Sequence, residues 1–94
     1  MRTLVVLSDP IESQTIRERC SVLIAGGHEV ALCYVLPRQA GLNASLEVQR
    51  RITTELRHAL ETSAEKIPVF VVSGLDGDGV DDCARAWGAT DVKP

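Results

Sequence analysis

The sequence predicts an α/β fold, a doubly wound and mostly parallel sheet in three layers. Three observations carry that prediction. Apolar, β-branched runs alternate with helical stretches in the order β-α-β-α-β-α. The runs are continuously apolar rather than alternating, which marks strands covered on both faces. The stretches between them are long enough for right-handed crossovers, which parallel neighbours require.

Thr3 to Leu7 reads as the first strand, closed by Ser8-Asp9-Pro10. A helix is predicted from about Ile11 to Ala25. Its apolar stripe is Ile16, Cys20, Leu23 and Ile24, and Glu12, Gln14, Arg17, Glu18 and Arg19 fill the other face. Gly26-Gly27 ends it, because glycine takes the left-handed conformation at helix ends. His28 to Leu36 reads as the second strand, closed by Pro37, and Arg38 to Ala44 as a loop. The longest helix is predicted from Ser45 to about Ser63, with Val48, Ile52, Leu56, Ala59 and Leu60 as its apolar stripe. Ile67 to Val72 is the third strand, ended by Ser73-Gly74. Asp78-Gly79-Val80-Asp81 then has the pattern of an N-cap with an acid at the third position. The helix that follows turns Val80, Cys83, Ala84 and Trp87 inward, and Gly88 stops it.

The chain has 94 residues, the size of a single domain with a modest core. Hydrophobic residues make up 45% and aromatics only 3%, so the core rests on Val, Leu, Ile and Ala. The formal charge of −3 gives no general attraction for nucleic acid or an anionic membrane. The apolar run at the N-terminus is too short for a signal peptide, and no stretch reaches membrane-spanning length. Cys20, Cys33 and Cys83 form no paired motif, and that dispersed set suggests a reducing cytoplasm.

Most candidate sites have a plain structural explanation. Ser8-Asp9 sits where open α/β sheets bind ligands, but an Asx turn before Pro10 is the favoured reading. Asp76, Asp78, Asp81 and Asp82 fail the calcium-loop pattern, with Asp81 and Trp87 where glycine and glutamate are needed. His28 and His58 lie in no metal or catalytic spacing, and the cysteines read as inert core thiols. Arg38, Arg50, Arg51 and Arg57 are the only basic concentration, and a solvated helix face shared with Glu47 and Glu61 is the favoured reading.

TLVVLSDP, the helix ending in IAGGHEVALCYVLP, and VVSGLDGDGVDDCARAWGATDV together resemble the universal stress protein family. The resemblance spans nearly the whole chain, through loose strand-turn-helix motifs. It implies an adenine nucleotide alpha hydrolase-like sheet, here truncated after the third helix. By position it implies that Ser8, Asp9, Val35 and Gly74 would lie around the base and ribose of an adenine nucleotide. The family's phosphate-binding glycine segment, which follows the fourth strand, has no counterpart in this sequence. The resemblance therefore implies a non-catalytic regulatory or stress-related module without an obligatory cofactor. An ATP or AMP site completed by a partner subunit is the alternative. In the family's strand order 3-2-1-4-5, Asp91-Val92-Lys93 is at most a stub beside strand one. TLVVL is then expected to be a bare or barely covered edge, which predicts a homodimer through a sheet edge.

Overall fold

The computed structural model describes residues 1–7, 11–37, 44–73 and 78–94. Strand β1 (Arg2–Leu7) leads to helix α1 (Ser13–Ala25), β2 (Glu29–Leu36), α2 (Ala44–Leu60), a 3-10 helix (Glu61–Lys66), β3 (Val69–Ser73), α3 (Gly79–Trp87) and β4 (Asp91–Lys93). The four strands form one all-parallel sheet in the order β3-β2-β1-β4.

Two cores follow from the pleat. Val5, Leu7, Val30, Leu32 and Tyr34 point to one face and meet Ile16 and Cys20 of α1 and Ile52, Leu56 and Ala59 of α2. Leu4, Ala31 and Cys33 point to the other face and meet Ala84 of α3, with Phe70, Val72, Val80, Cys83, Trp87 and Val92 packed around them. Both crossovers that step from β1 to β3 place their helices on the first face. The crossover from β3 to β4, which steps over β2 and β1, carries α3 across the second.

Glycine ends two helices as expected. Gly27 has φ 83, and the N–H of His28 returns to the carbonyl of Leu23 at 3.0 Å. Gly88 has φ 82, and the N–H of Ala89 returns to Ala84 at 2.8 Å. This is the hydrogen-bond pattern that satisfies the last free carbonyls of a helix.

The N-termini are less regular. Asp78 occupies the N-cap of α3 without a side-chain capping bond, because its backbone (φ −102, ψ 5) is not in the extended conformation that aims the carboxylate at the free amides. Asp81 and Asp82 still place negative charge in the first turn, where the helix dipole favours it. Helix α1 has no cap of its own at Glu12. Its first amide, at Ser13, donates instead to Glu55 of α2 at 3.1 Å.

Three expectations are corrected. The long helix ends at Leu60 rather than Ser63, because Glu61 adopts φ 51 and the chain tightens into a 3-10 turn that steers it towards β3. The third strand begins at Val69 rather than Ile67. The chain also continues in the sheet past the third helix, since β4 pairs with Thr3, Leu4 and Val5. Of the two outcomes expected for TLVVL, a bare edge or one covered by a short stub, the three-residue β4 gives the second.

Candidate functional site

The sequence-based site at the carboxyl ends of the strands is only partly in view. Ser8, Asp9 and Gly74 lie outside the described residues, as do Arg38 and Asp76. Val35 is half-buried near the end of β2, in register with Val72 of β3. The strand order reverses between β1 and β4, the place where open parallel sheets form a crevice for ligands.

Arg19 of α1 reaches into that crevice. Its guanidinium donates to the carbonyls of Val6 at 2.7 Å, Lys93 at 3.0 Å and Pro94 at 2.8 Å. The register explains why an arginine is needed. The amide of Thr90 donates to Arg2, so alternate residues of β1, including Val6, aim their backbone groups at β4. β4 ends at Lys93, opposite Val5, so the Val6 carbonyl lies beyond the last strand pair. Arg19 supplies the missing donor.

The thiols belong to the two cores. Cys20 and Cys33 are buried, and Cys83 is half-exposed on α3 against Cys33. Burial pushes Cys20 up to about 11, against a smaller opposing pull from the Arg19 guanidinium. Burial, with Cys83 beside it, pushes Cys33 up to about 12. Cys83 is also raised by burial, despite a hydrogen bond with Cys33. At neutral pH all three are thiols, the unreactive form.

His28 has a structural partner that sequence spacing does not reveal. Its Nδ1 lies 3.1 Å from Oγ1 of Thr3, which is completely buried. The pair satisfies a hydroxyl that would otherwise be costly to bury. His58 is exposed on α2, and its carbonyl accepts from Arg17 at 3.4 Å. Arg17 also donates to Ala59 at 3.2 Å, joining α1 to the carbonyl end of α2. Arg50, Arg51 and Arg57 are exposed and form no ion pair among the described residues, as a solvated face requires. No group of three or more metal-ligating side chains occurs among the described residues. Among these residues no helix is long and apolar enough to cross a membrane.

A cavity lies at the other end of the sheet, where the strands begin. It has a volume of about 380 Å³. Ile24, Val30, Ile67 and Pro68 give it apolar walls, and Trp87 closes the α3 side. His28, Glu29, Ser63 and Lys66 bring polar groups to it. Arg2 organises the neighbouring rim. It donates to Glu29 at 2.8 Å and to the Trp87 carbonyl at 2.6 Å, and its guanidinium carbon lies 5.5 Å from the indole centroid. Such a contact adds a modest cation–π attraction to the hydrogen bonds. Gly26 gives the imidazole its room, since a Cβ there would come within 3.3 Å of Cδ2 of His28.

Neither Arg19 nor this cavity is apparent from residue type alone. Arg19 falls on the polar stripe of α1, and only the end of the β1–β4 pairing gives it a task. Pro68 was the available signal for the cavity, because a proline at the mouth of a parallel strand leaves a neighbouring carbonyl unserved. No protein-family model, curated protein or solved structure matches the chain.

Proposed function

We propose that this chain is a non-catalytic regulatory module of the universal stress protein type, cytoplasmic, and active as a homodimer through a sheet edge. The observation that carries the reading is the all-parallel order β3-β2-β1-β4, with its reversal between β1 and β4. This agrees with the first four strands that the family resemblance implies. The buried thiols support a non-catalytic role, because desolvation keeps Cys20 and Cys33 protonated at neutral pH. Arg19 supports a crevice filled by protein groups, since its guanidinium is committed to three carbonyls.

The dimer edge follows from which strand is protected. β4 is three residues long, with an Asp91–Lys93 ion pair of 3.2 Å and Pro94 beside it, features that discourage pairing. β3 reads VFVVS, without charge or proline. Its residues Val69 and Val71 aim their backbone groups away from β2, because Pro68 and the residues in step with it serve β2. The β3 edge is the one we assign to the partner.

A second reading is an adenine-nucleotide-binding stress protein whose site is completed by the partner subunit. The positive charge of Arg19 at the β1–β4 crevice favours it. Calorimetric titration with ATP and AMP, with oligomer mass measured in the same buffer, tests both. A dimer without binding heat supports the regulatory module. Tight, ATP-selective binding replaces it with the second reading, and a monomer without heat removes both.

A further inference from the structure

We infer that the cavity at the amino-terminal end of the sheet binds a small carboxylate with a flat apolar body. It lies at the opposite end of the strands from the nucleotide position, so the inference stands apart from the reading above. Its volume of about 380 Å³ falls at the lower end of the range for small-molecule sites.

The backbone beside it is incomplete in a specific way. The amide of Leu32 donates to the carbonyl of Pro68 at 2.9 Å. Alternate residues of β2 therefore aim their backbone groups towards β3, and Val30 is the preceding one in that series. β3 starts only at Val69, paired with Leu32, so it ends short of Val30. Pro68, the residue in step to serve the Val30 carbonyl, has no N–H. The chain before it is coiled in the 3-10 helix, so the Val30 amide has no strand carbonyl either. Val30 is nonetheless a buried residue lining the cavity. A polar pair without a strand partner, facing a cavity, is a ready contact for a ligand's polar end.

The charges at the cavity select the sign of that end. Glu29 is neutralised by Arg2 at 2.8 Å. Lys66 has no acidic partner among the described residues, so the uncompensated charge is positive. His28 is oriented from behind by Thr3 through Nδ1, which leaves its other ring nitrogen for a ligand. Lys66, His28 and the Val30 amide together offer donors to a carboxylate, while Ile24, Ile67 and the indole of Trp87 receive an apolar body.

Trp87 is the only tryptophan, so its indole N–H gives one unambiguous signal at the cavity. The test follows the indole and Val30 amide resonances of the whole chain during titration with benzoate, its neutral counterpart benzamide, and acetate. Saturable shifts at both positions with benzoate are expected, with benzamide and acetate each at least threefold weaker. Lys66→Met, a change at an exposed side chain, is expected to weaken benzoate at least threefold and leave the rest of the spectrum unchanged. Benzamide binding as well as benzoate would overturn the charge assignment. Acetate binding equally well would overturn the apolar one. Shifts that never saturate, or that Lys66→Met leaves unaltered, would overturn the site.

Discussion

Replacing Arg19 with methionine keeps the aliphatic stem along α1 and removes only the guanidinium. Three carbonyls then lose their donor. Those of Lys93 and Pro94 lie in exposed contacts, and water takes the place of the guanidinium there. The carbonyl of Val6 is in a part-buried contact and lies beyond the last pair of β1 with β4, Val5 with Lys93. A hydrogen bond to a charged group contributes about 1.5–3 kcal/mol net. Partial hydration lowers the expected loss to about 1–2 kcal/mol, within the usual cost of leaving a buried acceptor unpaired. For a domain of this size each kcal/mol moves the melting temperature by about 4–8 °C. The assay is urea and thermal unfolding followed by the fluorescence of Trp87. With an m-value of about 1 kcal/mol/M the urea midpoint should fall by about 1–2 M. Arg19→Lys should recover less than half of the loss, since one ammonium lacks the planar fork that spans several acceptors. An Arg19→Met midpoint equal to that of the parent, at unchanged m, would refute the argument that Arg19 completes the end of the sheet.

Gly27→Ala and Gly88→Ala should each lower stability by about 1–2 kcal/mol in urea unfolding, the cost of a left-handed alanine. They should do so equally, because a Cβ at Gly27 meets nothing within 4 Å and one at Gly88 meets only Arg2 Nη1 at an ordinary 3.4 Å. A neutral substitution at either would contradict the helix-end geometry. The thiols set an alkaline limit: their folded values, about 11 for Cys20 and about 12 for Cys33, lie above the ordinary 9.0. The folded state therefore holds protons that the unfolded chain releases, so this contribution is complete below pH 9 and is lost as pH rises through 11 to 12. The fall in urea midpoint between neutral and strongly alkaline buffer should shrink in Cys20→Ala and Cys33→Ala, and an unaltered fall would count against the assignment. Val71→Pro deletes an N–H that β2 does not use, so a folded chain of monomer mass is expected if β3 is the dimer edge. A persistent dimer would place the contact elsewhere.

Much of the fold was legible because each element announced itself through one physical constraint. Continuous apolarity at Leu4–Leu7 and Val30–Leu36 required strands covered on two sides, and the structure buries Leu4, Val5, Leu7 and residues 30–34 between two helical layers. Ile16 and Cys20, or Ile52, Leu56 and Ala59, fall on one face only at helical spacing. The break at Glu61 was not legible, because ETSAEK is rich in good helix formers and the turn there serves the route to β3. The candidate site was less legible than the fold. His28 meets Thr3 across two strands, Glu55 caps a helix that is remote in sequence, and Arg19 bonds carbonyls where β4 ends beside β1. Each depends on register, which local pattern does not fix.

The pairing of β1 with β4 also bears on the lifetime of the fold. It joins Arg2 to Thr90, 88 positions apart, whereas Arg2 and Glu29 across β1 and β2 are only 27 apart. Closing the longer loop costs more chain entropy, so in a folding order where β1, β2 and β3 pair first this contact is added after the barrier. α3 and β4 then contribute little to the speed of folding and much to the height of the barrier against unfolding. By this logic the persistence of the native state resides in its last fifteen or so residues, on the side of the sheet that a single short helix covers.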